Sequence, residues 1–188
     1  MMQNQSSSGC VVWLTGLPAA GKSTIALALQ KELVAQGHRT YVLDGDVVRR
    51  GLCADLSFSP ADRRENVRRV SAVAGLFADA GIICIVALVS PYRADRVKAR
   101  SIAQGHNFIE VFVNAAVEVC AQRDPKGHYA KARAGELPDF TGVSAPYEPP
   151  QSPEIELLSD RIPVADCVRQ IMTHLWEIQS LPAPGDRQ

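Results

Sequence analysis

The chain has 188 residues, 46% of them hydrophobic, enough for one domain with a sizeable core. Its 20 basic and 20 acidic side chains cancel, which excludes a global field suited to nucleic acid or an anionic membrane and makes any anion site a local construction. No apolar run approaches the roughly 18 residues of a membrane helix, and five scattered cysteines (Cys10, Cys53, Cys84, Cys120 and Cys167) form no C-x-x-C pair, so the expectation is a soluble cytoplasmic protein with reduced thiols.

In chain order, residues 1–9 carry neither a charged leader nor an apolar core and are expected to be loose, as are residues 181–188. Residues 11–14, VVWL, read as a buried strand. Gly16, Leu17, Pro18, Ala19, Ala20, Gly21, Lys22, Ser23 and Thr24 follow and spell G-x-x-x-x-G-K-[ST] between that strand and a helical pattern with Ile25, Ala28, Leu29 and Leu33 on one face. That is a phosphate-binding loop. Glycines let backbone N–H groups turn inward on a polyphosphate, Lys22 reaches the outer phosphates, Ser23 can ligate Mg²⁺, and the helix N-terminus favours the anion.

Gly37 can end this helix, and residues 40–43 form a second strand. Asp44, Gly45 and Asp46 come directly after it. One carboxylate could orient Mg²⁺ and the other accept a proton from an attacking hydroxyl, with Gly45 supplying an unusual backbone angle; the competing reading is a D-G turn. Residues 61–80 are predicted helical, with the stripe Val67, Val70, Ala74 and Phe77. Extended backwards at about 100° per residue, the stripe takes in Arg63 and Asn66 and turns Arg64, Glu65 and Arg68 outward. An inward arginine needs a bound anion or an internal partner, for which Asp44 or Asp46 would serve.

Residues 82–89 read as an unbroken apolar strand ending on Val89 and Ser90, where a serine could cap the strand or contact a phosphoryl group. No adjacent base marks it as a nucleophile. A helix over 94–103, a strand over 108–113 and a helix over 116–122 continue the alternation, which is that of a parallel sheet covered on both faces. Residues 124–153 break it, with six prolines. They are expected to form a lid, helical around 129–133, whose Arg123, Lys126, Lys131 and Arg133 could close over phosphates, with Phe140 a lone aromatic in polar company; the alternative is a solvated excursion. A last strand over 154–158 and a helix from Pro163, with Val164, Val168, Ile171 and Leu175 inward, complete the domain at 10–180. The four histidines show no ligand spacing, so no metal beyond Mg²⁺ is expected.

Taken together, GLPAAGKST, LDGDVVRRGL, FSPADRRENVRRV, LFADAGIICIVALVSPYRADR, FIEVFV and CAQRDPKGHYAKARAGELPDFTGVSAPYE resemble the adenylylsulfate kinases (APS kinases), in this order and over about residues 10–175. The resemblance implies a P-loop NTPase-type three-layer α/β/α sandwich with a mostly parallel sheet. It also implies transfer of the γ-phosphoryl group of MgATP to the 3′-hydroxyl of adenosine 5′-phosphosulfate, in a homodimer. By the same resemblance, Asp46, Arg49, Arg63 and Asn66 hold or activate the adenylylsulfate, Phe58 and Phe140 sandwich its adenine, and Lys126 contacts it. Val89 and Ser90 belong to that half as well, Ser90 at a position that is a phosphoserine in some members, while Arg123 goes with ATP. Lys22, Asp46, Arg63 and Ser90 are the catalytic candidates, and Ser23 with Asp44 the metal pair. Val47 stands where the family usually has Asn, Ser57 precedes Phe58, Asp139 precedes Phe140 where relatives have Gly, and Pro18 and Ala19 replace Ser and Gly. Two alternatives stay open: another small-molecule kinase on this scaffold, or a module that binds both nucleotides without turnover.

Overall fold

The computed structural model describes residues 9–103 and 105–178. The loose ends expected at residues 1–8 and 181–188 lie outside them; Gly9 is buried, and a Cβ there would sit 2.1 Å from the Ala78 carbonyl oxygen. Among the described residues, strands β1 (Cys10–Thr15), β2 (Thr40–Asp44), β3 (Ile83–Ala87), β4 (Asn107–Asn114) and β5 (Ile155–Leu158) form one parallel sheet in the order β2-β3-β1-β4-β5. The helices are α1 (Lys22–Ala35), α2 (Gly45–Val48), α3 (Pro60–Asp79), α4 (Arg93–Ile102), α5 (Val117–Arg123), α6 (His128–Arg133) and α7 (Val164–Glu177). None is long and apolar enough to cross a membrane.

The two-residue strand period builds both core layers from one segment. Val12 and Leu14 of β1 join Ile25, Leu29 and Leu33 of α1 and Ile171 and Leu175 of α7 on one face. Val11 and Trp13 meet Val67, Val70 and Ala74 of α3 and Ala99 of α4 on the other. Because both faces are covered, β1 is buried throughout and apolar from Cys10 to Leu14 instead of alternating with polar residues. α3 begins where Ser59 accepts the Asp62 N–H at 3.1 Å and Pro60 occupies the first turn.

Several readings change in the structure. β3 stops at Ala87, two residues short: one more bond, from the Leu88 N–H to the Leu14 carbonyl (3.2 Å), precedes Ser90, whose φ of 38° turns the chain away. Asp44-Gly45 is no turn, since Asp44 caps the short helix α2 through the Asp46 N–H (2.9 Å). Gly45 is not at positive φ, and a Cβ there would make a tight contact, 3.1 Å, with Leu88 Cδ2. Val164 is 37% exposed rather than inward, and Pro163 caps α7 rather than starting it. Phe140 is buried against Tyr129, ring centroids 4.9 Å apart at 81°, so its surroundings are aromatic. Tyr129 and Ala132 are also buried in the α1/α7 core, so residues 124–153 are anchored to the domain by these side chains while much of the segment is exposed.

Candidate active site

The carboxyl ends of β1, β2 and β3 are level, Leu14 and Asp44 both pairing with Ala87. The segments leaving them meet in a cavity of about 860 Å³, toward the upper end of the range for ligand pockets. Its floor is the phosphate loop. Gly16 must be glycine there, since a Cβ would stand 2.4 Å from the Val113 carbonyl oxygen, and Ala19 takes φ 60° to turn the loop.

Lys22 is buried, its Nζ donating to the carbonyls of Gly16 (2.9 Å) and Leu17 (2.7 Å). Neutral carbonyls replace water poorly around an ammonium, and burial lowers its pKa to about 8. The Ser23 hydroxyl donates to Asp44 Oδ2 at 2.5 Å, while the other oxygen of that carboxylate caps α2. Two hard oxygen donors therefore stand together beside the phosphate floor. Arg123 reaches back from α5 to the carbonyls of Ala20 (3.4 Å) and Ser159 (2.9 Å).

The opposite part of the wall holds Asp46, Phe58, Arg63, Val89, Lys126, Asp139 and Phe140. Lys126 reaches from the α5–α6 connection to ion-pair with Asp46. Arg63 is half-buried and lies on the inner side of α3, but it pairs with neither Asp44 nor Asp46; Nε donates to the Phe58 carbonyl (2.9 Å) and Nη2 to the Asp139 carbonyl (2.8 Å). Burial, then the nearby Arg49 cation, push its pKa down. Asp139 holds this geometry at φ 54°, in the left-handed region.

Three residues expected at the substrate are not in that wall. Arg49 stacks on Phe58 (4.3 Å to the ring centroid) and donates to the carbonyls of Leu56 and Ser57, so it braces the aromatic from behind the surface it presents. Asn66 is buried, and its Nδ2 has no hydrogen-bond partner. Ser90 is enclosed: its Oγ accepts from Trp13 Nε1 (3.1 Å) and donates to Thr15 Oγ1 (3.0 Å), and the residue is 3% exposed.

Sequence reasoning passed over Tyr129, whose hydroxyl donates to the Pro18 carbonyl (3.0 Å), and Ser159, which donates to the Ala20 carbonyl (2.8 Å). Both steady the phosphate loop from outside the motif. Ser159 had a signal, since it follows a predicted strand as Asp44 does; Tyr129 had none. Ile162, Val164 and Cys167 extend the wall past Arg123.

The family model for adenylylsulphate kinase matches residues 8–158. The adenylyl-sulfate kinase of Aeromonas hydrophila subsp. hydrophila is 53% identical over 165 residues, 88% of this chain and 84% of that protein. The adenylyl-sulfate kinase of Prochlorococcus marinus is 49% identical over 168 residues, 89% of this chain and 84% of that protein. Among solved structures, the Mycobacterium tuberculosis APS kinase in complex with AMPPNP and APS matches with a TM-score of 0.86 and 45% identity, covering 89% of this chain and 98% of that one.

Proposed function

The chain belongs to the adenylylsulphate kinase family, and we propose a division of labour among its cavity residues for that family's reaction. The protein is an ATP-dependent phosphotransferase: the γ-phosphoryl group of ATP passes to the 3′-hydroxyl of adenosine 5′-phosphosulfate, giving 3′-phosphoadenosine 5′-phosphosulfate and ADP. The observation that carries the proposal is that one cavity joins a phosphate loop to a second, cationic and aromatic wall.

ATP lies with its phosphates on Gly16 to Thr24 and its base toward Arg123, Ile162 and Cys167. Ser23 and Asp44, hard oxygen ligands side by side at the phosphate floor, would hold Mg²⁺. Among the described residues no three His, Cys, Asp or Glu side chains cluster around a metal position, which suits an ion that takes its other ligands from phosphates and water. When bound, that ion neutralises charge on the outer phosphates.

The acceptor's adenine stacks against Phe58 and Phe140, with Arg49 fixing the former. Arg63 and Lys126 take the phosphosulfate. Asp46 accepts the 3′-hydroxyl proton as that oxygen bonds to the γ-phosphorus; the bond to the β–γ bridging oxygen breaks, and its electron pair leaves with ADP. Lys22 follows the charge as it shifts between the two nucleotides. Most of the acceleration comes from positioning and charge stabilisation. Residues 124–153 act as the lid, Lys126 and Asp139 reaching across to α2 and α3. A homodimer is part of the proposal, and exposed Leu76 and Val97 on the packed helices α3 and α4 offer apolar surface for it. So is a cytoplasmic setting, which five free thiols favour.

Incubating purified protein with MgATP and adenosine 5′-phosphosulfate, then separating nucleotides, tests the assignment. Stoichiometric ADP and 3′-phosphorylated product are expected. ADP without that product, or neither, overturns it.

A further inference from the structure

We infer that Arg96 and Tyr147 are positioning residues that lock the acceptor wall and the returning end of the lid into one register. This rests on the functional reading above but assigns work to residues that touch no substrate.

Arg96 is on α4, 3% exposed, and spends its guanidinium on three segments at once. Nε pairs with Glu110 of β4 at 2.7 Å, Nη1 donates to the Ser90 carbonyl at 2.7 Å, and Nη2 donates to the Glu148 carbonyl at 2.7 Å. Only a planar fork of donors spans two carbonyls and a carboxylate in this way. Tyr147, under the same guanidinium (5.8 Å to its ring centroid), stacks on Phe112 and shares a 3.0 Å hydrogen bond with Thr15 Oγ1. Thr15 in turn donates to the Val89 carbonyl at 2.8 Å and accepts from Ser90 Oγ. The knot thus joins the residue before the phosphate loop, the loop that carries Val89 into the cavity, and residues 147–148, seven and eight positions after Phe140.

Two further bonds close it. The Glu148 N–H donates to the Pro91 carbonyl (2.9 Å), and the Arg93 N–H donates to Glu148 Oε2 (2.8 Å). The knot also explains why Ser90 is held at φ 38°, a conformation that a residue with a side chain keeps only where its surroundings over-determine it. Releasing Arg96 frees the Ser90 and Glu148 carbonyls together. Val89 and Phe140 then lose a common anchor, while the ATP floor keeps its own bonds to Tyr129 and Ser159.

Arg100 supplies the control. One turn on in α4, it makes a similar buttress, to the Phe108 carbonyl and Glu154, both at 2.7 Å, but touches neither the acceptor loop nor residues 147–148. Arg96→Gln, Arg96→Lys, Tyr147→Phe and Arg100→Gln are compared by steady-state kinetics with each substrate and by thermal melting. Arg96→Gln is expected to raise KM for adenosine 5′-phosphosulfate about tenfold with KM for ATP within about twofold, since small misplacements of a positioned substrate are expensive. Arg96→Lys keeps the charge opposite Glu110 but cannot bridge both carbonyls, so it should restore melting temperature more than acceptor KM. Tyr147→Phe, which loses a single oxygen, should raise acceptor KM about threefold. Arg100→Gln should lower the melting temperature and leave acceptor KM in place. Equal movement of both KM values, an Arg100→Gln shift as large as that of Arg96→Gln, or unchanged kinetics in both Arg96→Lys and Tyr147→Phe overturns the inference. An inactive wild-type enzyme instead overturns the functional reading.

Discussion

The buried Lys22 predicts that nucleotide binding takes up a proton. With its pKa lowered to about 8 by burial, about half of the lysines are neutral at pH 8 in the free protein and about a tenth at pH 7. Polyphosphate beside the ammonium favours the charged form and returns the pKa toward its ordinary value of 10.5. The complex therefore holds more protons than the free protein between roughly pH 7 and 10. Uptake should be about 0.1 proton per site at pH 7, 0.5 at pH 8 and 0.9 at pH 9, and ATP affinity should fall almost tenfold per unit near pH 9. A full return of the pKa corresponds to about 3 kcal/mol of coupling between charge and ligand. For folding the sign is reversed, because the native protein holds fewer protons than the unfolded chain. A lysine depressed in the native state destabilises it fully below pH 8, and the cost fades as pH rises toward 10.5. Calorimetric titration of MgATP in two buffers of different ionisation enthalpy reads the uptake directly. With Mg²⁺ present the nucleotide itself is deprotonated at these pH values, and Lys22→Arg, which stays charged, should abolish the effect. Uptake that is flat from pH 7 to 9, or that survives Lys22→Arg, would refute the reasoning.

Asp46→Asn keeps the shape of the side chain but removes the proton acceptor, and should lower kcat by about a hundredfold or more while KM for ATP moves little. Its pair with Lys126 is more than half exposed on both sides and contributes little to stability, so the melting temperature should hardly change. Asp139→Asn retains a residue tolerant of φ 54° and removes a carboxylate from the wall that receives a phosphosulfate; KM for the acceptor should fall several-fold at low salt, and an unchanged value would show that the carboxylate faces water. Phe140→Ala removes a ring that is 8% exposed and packed on Tyr129, so it should cost about 3 kcal/mol in denaturant unfolding and raise acceptor KM more than ATP KM.

Much of the fold was legible because its signals are local. Apolar runs of strand length alternating with helical stripes mark a parallel sheet, and the Gly16 to Ser23 spelling specifies a loop that can bind phosphate whatever surrounds it. Helical periodicity also turned Arg63 and Asn66 inward correctly relative to α3. It could not name their partners, because Arg63 meets carbonyls of Phe58 and Asp139, and Asp139 lies 76 positions away. The strand-end rule led to Asp44 and Asp46, but whether two adjacent carboxylates share a role depends on which way a four-residue helix points them. Here α2 sends Asp44 to Ser23 and Asp46 to Lys126.

Ser90 separates the two sources of information. Its place after an apolar strand and its resemblance to a phosphorylated position made it a site candidate, and nothing within ten residues argues otherwise. Trp13 and Thr15, which enclose it, are more than 70 positions away, and their approach is a product of β1 lying next to β3. The sequence by itself determined what depends on period, spelling and order: the parallel α/β architecture, the phosphate loop, and the family. Tertiary structure alone decided which polar groups face the cavity and which are spent on one another, since hydrogen bonds and burial are settled by neighbours in space, and the sheet order that makes those neighbours differs from the order of the chain.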